Sequence, residues 1–581
     1  MNRQWFVNKT NTEFVDYLSR TCSISPLITQ ILINRGIKTP SDIYNFLNPD
    51  INQLSDPFEL QGMKSAVDRI LQAKKNRERV MIHGDYDADG ITSTVLLLSA
   101  FHDMGIESYY FIPDRMLHGY GFGICGVERA KEIGASLIVT VDCGITSFEA
   151  VSLCKKSGID VIITDHHEPF LKDVENLSSD YQNDTISKFL LPDALSVVNP
   201  KIMDRNSPLN NLSGAGVALK LIQALDAQKE LGISYDYYFD IASMGTLADI
   251  VPLMYENRVI VKEGLKKLQK SIRPGLKALI EISGVNNRAL KTGTVIFSLI
   301  PRINSAGRIS NADQVIKLFL TESEDEALNL AKELNLLNAK RQQIEEDVFH
   351  DALNQLKKKD LRSVIVLSSE GWHKGVIGIV ASRIAEIYNR PAFIISKDNR
   401  VSRGSGRSIP SFDLCESLTL CAHILRGFGG HKSAAGIEIE TDKINDFEEI
   451  INRIAVEKLN ENDFSPMLQI DVEAKLSDLG FNIIRDIELL EPFGCGNPEP
   501  VIGSRDLDVL YPRIIKDSHI KMKLRQNGQS IDAVGFDMAL DYGKLLDFPK
   551  IDAAYRPSIN EWEGKQFLQL RLKALRESRN Q

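Results

Sequence analysis

Three runs in the early part of the chain carry the residue types that hold divalent cations. His83-Gly-Asp85-Tyr-Asp87-Ala-Asp89-Gly90 packs its aspartates at every second position, and Asp142-Cys-Gly144 and Asp165-His166-His167-Glu168 follow. Asp249, in Ala248-Asp-Ile-Val-Pro252, is a fourth candidate. Carboxylate and imidazole together suit a hard or borderline ion such as Mn2+ or Mg2+; zinc is less favoured for want of thiolates. Carboxylates this crowded repel one another and drift up in pKa, and a pair of cations would keep them ionised. Two ions roughly 3.5–4 Å apart lower the pKa of a bridging water and stabilise charge on attacking and leaving oxygens, the chemistry of metal-assisted hydrolysis. Turn chemistry is the plainer account of any one run, since Asp caps helices and Gly permits βα turns. The combination is harder to explain that way.

The surrounding pattern says how the runs could meet. Arg79-Val-Met-Ile-His83, Leu137-Ile-Val-Thr-Val141 and Asp160-Val-Ile-Ile-Thr164 read as buried strands, with helical segments over 92–103 and 148–156 between them. That alternation predicts a doubly wound parallel sheet, an α/β fold whose ligands bind beyond the carboxyl ends of the strands. Each acidic run begins where a predicted strand stops.

Around this core the chain divides into an N-terminal helical segment (1–50), the catalytic domain (51–321), a long connecting helix (322–360), a second, smaller α/β domain (361–460) and a β-rich terminal domain (461–581). Residues 322–358 contain no Gly or Pro and are helix-compatible throughout. In 361–460, Ser363-Val-Ile-Val-Leu-Ser and Pro391-Ala-Phe-Ile-Ile-Ser are strand-like and 376–388 helix-like. Beyond Gly494-Cys-Gly-Asn-Pro-Glu-Pro500 short strands and turns such as Gln526-Asn-Gly-Gln suit a small β-barrel.

With 581 residues the chain exceeds one compact core, and 43% hydrophobic with 25% charged residues is an ordinary globular composition. The net charge of −9 does not advertise a polyanion binder, but a local basic patch is enough for one. Seven cysteines without a CxxC pair argue against a disulfide framework or a thiolate metal site. No stretch has the roughly 20 apolar residues of a membrane span, and the start lacks a signal-type apolar core. These features point to the cytoplasm.

HGDYDADG, VDCG, TDHH and LADIVPL, in that order, resemble the four motifs of the DHH phosphoesterase superfamily. The chain is more closely similar to its RecJ family of single-strand-specific exonucleases, essentially from end to end. Pro301-Arg-Ile-Asn-Ser-Ala-Gly-Arg308, Gly371-Trp-His-Lys-Gly-Val-Ile-Gly378, Gly404-Ser-Gly-Arg407-Ser, Gly427-Phe-Gly-Gly-His-Lys-Ser-Ala-Ala-Gly436 and Glu491-Pro-Phe-Gly-Cys-Gly-Asn-Pro-Glu-Pro500 extend the match. The resemblance implies one ion on His83, Asp87 and Asp142, and a second on Asp89, Asp142, His166 and Asp249. It places His167 against the scissile phosphate or leaving oxygen, with Asp85 orienting ligands from behind. It also implies that the 361–460 segment is a DHH-associated domain gripping nucleic acid across a cleft, and that the terminal barrel is an OB-fold.

The phosphate contacts expected on this basis are Ser405, Arg407 and His431 from the second α/β domain, with Arg115, Arg302 and Arg308 from the catalytic domain. Arg403-Gly-Ser405-Gly-Arg407 and Gly429-Gly-His431-Lys432 read as basic side chains on flexible glycine backbone. His118 departs from the acidic residue that relatives would have nearby, and His373 beside Trp372 reads equally well as a packed core histidine. In the OB-fold, Tyr511, Arg513, Lys516, Lys521, Lys523 and Arg525 form a strand-and-loop face suited to single strands.

The reading is therefore a processive 5′→3′ exonuclease on single-stranded DNA. It would be monomeric and release mononucleotides in repair and recombination, with a helicase and a single-strand-binding protein as expected partners. A hydrolase of short oligoribonucleotides or cyclic dinucleotides is the alternative within the superfamily. A non-catalytic scaffold is a third reading, disfavoured because every ligand position carries Asp or His.

Overall fold

The computed structural model describes residues 4–9, 11–115, 117–119, 121–172, 188–228, 231–286, 289–543 and 548–578. Two compact units emerge, one built from 55–251 and 263–465, the other from 1–54, 252–262 and 466–581.

The larger unit holds a five-stranded parallel sheet in the spatial order Ser108–Phe111, Val80–His83, Leu137–Val141, Asp160–Thr164, Ser196–Val198. Every residue of Val80–His83 and Leu137–Val141 is buried, as expected where helices cover both faces. The chain leaves Val80–His83 in one direction and returns on its other side through Leu137–Val141. The strand order therefore reverses at this pair, which opens a crevice at their carboxyl ends. Helix Ala88–Asp103 begins four residues before the predicted start, because Asp87 caps it by accepting from the Asp89 and Gly90 amides at 3.0 Å each. The acidic run is thus half strand exit and half helix entry.

Helix Glu324–Leu356, capped by Ser323, leads into a mixed five-stranded sheet ordered Leu425–Gly430, Ala434–Glu440, Val401–Arg407, Ala392–Lys397, Ile365–Glu370. Here the sequence expectation of flexible glycine backbone is corrected. Val401–Arg407 is a strand paired on both edges. A Cβ at Gly404 would sit 2.8 Å from Ile437, and one at Gly406 would sit 2.5 Å from the Phe393 ring. The glycines make room for the core on one face of the pleat, while Arg403, Ser405 and Arg407 project from the other.

In the second unit, strands Ile502–Ile515, His519–Gln526, Gln529–Gly535, Lys565–Glu577 and Ile551–Trp562 pair in a closed ring, since the last also pairs with the first. Asn527 and Gly528, both with positive φ, make the predicted hairpin turn. Helices Thr12–Cys22, Pro26–Asn34 and Pro40–Leu47 share one apolar cluster with the barrel interior, from Leu18, Ile31 and Ile43 through Leu490 to Leu524 and Tyr555. Buried Arg258 donates to the carbonyls of Phe46 (2.7 Å), Leu490 (3.1 Å) and Glu491 (2.8 Å), tying three distant segments together. Among the described residues no helix is long and apolar enough to cross a membrane.

Candidate metal centre and the groups around it

The crevice at the strand reversal gathers the acidic runs. Asp142, just past its strand, adopts φ 58°, a left-handed conformation uncommon for a residue with a side chain. Asp89 accepts from the amides of Gly214 (2.7 Å) and Ala215 (2.9 Å) at the start of helix Gly214–Asp226. A Cβ on Gly214 would meet Asp142 Oδ1 at 2.6 Å, so only glycine lets that helix end approach both carboxylates. Asp249 closes helix Phe239–Ala248 and faces His166 Nδ1 at 3.5 Å. His166 Nε2 lies 3.0 Å from Asp142 Oδ1 and 3.9 Å from Asp89 Oδ2.

Three overlapping sets of ligand atoms result, each within 4.8 Å: Asp85–Asp87–Asp142, Asp89–His166–Asp249 and Asp142–His166–His167. Among the described residues no lysine or arginine is ion-paired with Asp85, Asp87, Asp89 or Asp249. Burial, then the neighbouring carboxylates, pushes Asp142 and Asp249 well up from the usual range; Asp89 and Asp85 rise for the same reasons. His166 and His83 move the other way, both down to about 3, chiefly through burial. They are therefore neutral imidazoles, the form a metal requires.

His83 Nε2, Asp85 Oδ1 and His166 Nε2 are buried without a hydrogen-bond partner; the 3.0 Å approach of His166 to Asp142 is not aligned as one. Orphaned donor atoms beside uncompensated carboxylates fit divalent cations by charge and chemistry. His83 stands apart from the three sets. Its ring lies between Phe111 and Phe122 (centroids 5.4 and 4.9 Å), with Nδ1 3.7 Å from Cys143 Sγ. Asp85, expected behind the ligands, comes within ligand reach of Asp87 and Asp142.

Asp165 was not singled out by its sequence context, although it directly precedes the histidine pair. Its buried carboxylate accepts from Ile145 N (2.9 Å), His166 N (2.7 Å) and His167 N (3.1 Å), and pairs with His167 Nδ1 at 2.7 Å. Burial alone would lower His167, but Asp165 more than offsets it and the ring rises to about 9. His431 reaches the site as expected, its ring nearly parallel to that of His167 at 6.5 Å.

The arginines divide into two groups. Arg115 lies over the Tyr86 ring at 5.1 Å, Arg308 donates to Gly375 O at 3.1 Å, and Arg407 donates to Ser405 Oγ at 3.2 Å. Burial and then the charges of Arg115, Arg341 and Arg407 drop Arg308 to about 10; burial and Arg115 also lower Arg407. Arg341 is paired with Glu345, whereas Arg115, Arg308 and Arg407 have no carboxylate partner among the described residues. Arg115 lines a cleft of about 450 Å³ together with Lys374, Ser405 and Phe428, and with Arg403, which is paired with Glu438 at 2.9 Å. Arg302 is not brought there: its guanidinium is held by Asn335 Oδ1 (3.0 Å) on the long helix and by Ser298 O. His118 Nδ1 accepts from Asp114 N, and His373 Nδ1 from Gly375 N, both at 3.0 Å.

On the barrel, Tyr511 is 80% exposed at a bulge, and Arg513 pairs in register with Lys521, setting like charges opposite each other. Lys523 and Arg525 face Asp532 and Asp508 at 3.9 and 3.2 Å.

Comparison with known proteins agrees with this architecture. Family models described as "DHH family, N-terminal domain", "DHHA1 domain" and "RecJ OB domain" match residues 79–246, 361–457 and 470–574. The chain is 36% identical over 575 residues to the single-stranded-DNA-specific exonuclease RecJ of Bacillus subtilis (strain 168), covering 98% of this chain and 70% of that protein. It is 31% identical to the RecJ of Haemophilus influenzae, over 95% of this chain and 96% of the relative. Among solved structures, RecJ from Thermus thermophilus in complex with Mn2+ superposes with a TM-score of 0.84 at 29% identity, covering 99% of this chain and 80% of that one. The same protein has been solved with Mg2+.

Proposed function

This chain belongs to the RecJ family, and from that premise we infer that it is a metal-dependent exonuclease specific for single-stranded DNA. It removes 5′-mononucleotides in the 5′→3′ direction and acts in DNA repair and recombination. The observation that carries the reading is the juxtaposition of three overlapping carboxylate–imidazole sets with a group of arginines, Arg115, Arg308 and Arg407, that have no carboxylate partner among the described residues.

Asp87 and Asp142 would hold one divalent ion, with Asp85 in the same reach and His83 joining them as the family motif implies; Asp89, Asp142, His166 and Asp249 would hold the other. Mn2+ or Mg2+ bound there supplies Lewis acidity and an activated water. The protein's own groups do the rest. His167, locked by Asp165, turns its opposite ring edge to the scissile phosphate and donates a proton to the departing 3′-oxygen. Arg115, Arg308, Ser405 and Arg407 receive the terminal 5′-phosphate, whose charge relieves their mutual repulsion. Each cut leaves a new 5′-phosphate on the remaining strand, so the same pocket serves the next cycle. His431 closes the site over His167. A helicase and a single-strand-binding protein in the cytoplasm are the partners this activity calls for.

The test is digestion of single strands labelled at either end, and of blunt duplex, with Mn2+, Mg2+ or chelator. Release of labelled mononucleotide from the 5′ end of single strands, abolished by chelator, is the expected result. Preferential cleavage of a dinucleotide over a long strand would instead favour the short-phosphoester reading.

A further inference from the structure

One cation near the centre belongs to neither the carboxylate cluster nor the arginine cleft. Lys201 follows strand Ser196–Val198, and the turn that presents it is pinned from three sides. Asn199 Oδ1 accepts from Lys201 N at 2.8 Å, Asn199 Nδ2 donates to His167 O at 2.9 Å, and Asn210 Nδ2 donates to Pro200 O at 3.1 Å. Asn199 is buried and couples this turn directly to the histidine pair. The only ion pair of Lys201 among the described residues is a loose 3.9 Å contact with exposed Glu168. A contact of that kind contributes little to stability, so holding Glu168 does not account for a pinned lysine at this place.

The charges around the centre are polarised. The arginines stand at one end, where Arg115 lies over the ring of Tyr86, the residue between Asp85 and Asp87. Lys201 stands at the other end, its ammonium 3.9 Å from Glu168, the residue that follows the histidine pair. Asp142 lies between, belonging to sets on both sides. A strand whose terminal phosphate rests among the arginines and whose first phosphodiester meets the carboxylates would run on past the histidine pair, to which Asn199 ties the Lys201 turn. The next negative charge on that strand then arrives beside Lys201 and His431.

We propose that Lys201 binds the second phosphodiester of the substrate, the one immediately 3′ of the scissile linkage, and so sets the register in which the first linkage is cut. This rests on the proposed 5′→3′ reading. Lys201 is a substrate-positioning residue: it makes no claim on the metal ions, and its contact exists only when the substrate has at least three nucleotides.

The experiment compares Lys201→Gln and Lys201→Arg with the parent enzyme on a 5′-phosphorylated dinucleotide, trinucleotide and long single strand, in Mn2+. The second phosphodiester is either natural or a neutral methylphosphonate. Lys201→Gln should lose roughly tenfold in kcat/KM on the trinucleotide and the long strand and nothing on the dinucleotide, with Lys201→Arg recovering most of the loss. On the methylphosphonate substrates the parent should fall to the level of the variant, and the variant should fall no further. Equal losses on dinucleotide and trinucleotide, independent losses from variant and methylphosphonate, or no loss at all would each overturn the assignment. Should the parent fail to shorten single strands from the 5′ end, the exonuclease reading itself falls, a result visible before any variant is compared.

Discussion

The arginine cleft allows the proposed requirement for a 5′-phosphate to be tested by removing one charge. Arg308 stands at about 10 against an ordinary 12.5. At about 1.4 kcal/mol per pH unit this is a penalty on the order of 3.5 kcal/mol on the charged form, due first to burial and next to the neighbouring arginines. That penalty is carried by the free protein and is relieved when a phosphate dianion enters. Arg407→Gln removes one of the repelling charges while keeping a donor that can reach Gly406 O, the present partner at 2.9 Å. Two consequences follow from the same geometry. A charge-assisted contact to phosphate contributes about 1.5–3 kcal/mol. Accordingly kcat/KM on a 5′-phosphorylated single strand should fall roughly 10- to 100-fold, while a 5′-hydroxyl strand should change by less than about twofold. The folded protein without DNA should be no less stable, and at low salt slightly more so, because like charges have been thinned. The assay is initial-rate digestion of the paired substrates alongside thermal melts at low and high salt. An unchanged ratio between 5′-phosphate and 5′-hydroxyl substrates would refute the pocket, since charge repulsion among Arg115, Arg308 and Arg407 would then serve some other ligand.

Asp142→Asn should abolish digestion, a loss above about 100-fold if the ions contribute several kcal/mol to the transition state. Melts should show that the variant has also lost the parent's Mn2+-induced stabilisation. Asp142, Asp249 and Asp89 take up protons in the folded, ion-free protein above the ordinary carboxylate range. The native state then binds more protons than the unfolded chain, so chelator-treated protein should lose stability as pH rises through and above neutrality. Mn2+ binding, which expels those protons, should tighten over the same range; calorimetry in buffers of different ionisation enthalpy would read the proton release, and its absence would contradict the shifts. Asp165→Asn should cut activity by roughly 10–100-fold with Mn2+ binding largely retained, because the lost contact orients His167 rather than a ligand; unchanged activity would remove His167 from the reaction.

Much of the centre was legible in the sequence because its ligands are local to strand ends. Buried β-branched runs such as Leu137–Val141 announce their own secondary structure, and in a parallel sheet they deliver whatever follows them to one crevice. Asp87, Asp89, Asp142, His166 and Asp249, which share ligand sets here, could therefore be proposed together, with the allotment to two ions and the addition of His83 coming from the family motifs. The DHHA1 and RecJ OB segments were legible in the same way. Asp165 was harder to place, since a buried carboxylate that orients a neighbour looks like any turn aspartate until its partners are seen. Arg302 and Arg308, six residues apart, could not be separated by sequence. Packing against Asn335 claims the first, whereas the second donates to Gly375 O and has no carboxylate partner among the described residues.

Tertiary structure alone decided the remainder, and the reason is range. Sequence pattern reports which face of an element is apolar, but not what covers it, so nothing local shows that helices Thr12–Cys22 to Pro40–Leu47 share a core with a barrel more than 400 residues away. Nor does it show that Gly404 and Gly406 make room for Ile437 and Phe393 rather than loosening a loop. The acidic run beginning at His83 announced by itself only an acidic turn between a strand and a helix; the later runs at Asp142 and His166 made it part of a cation site. Which of its carboxylates meet around Asp142, and that arginines stand at one end and Lys201 at the other, depend on long-range packing that places side chains in three dimensions.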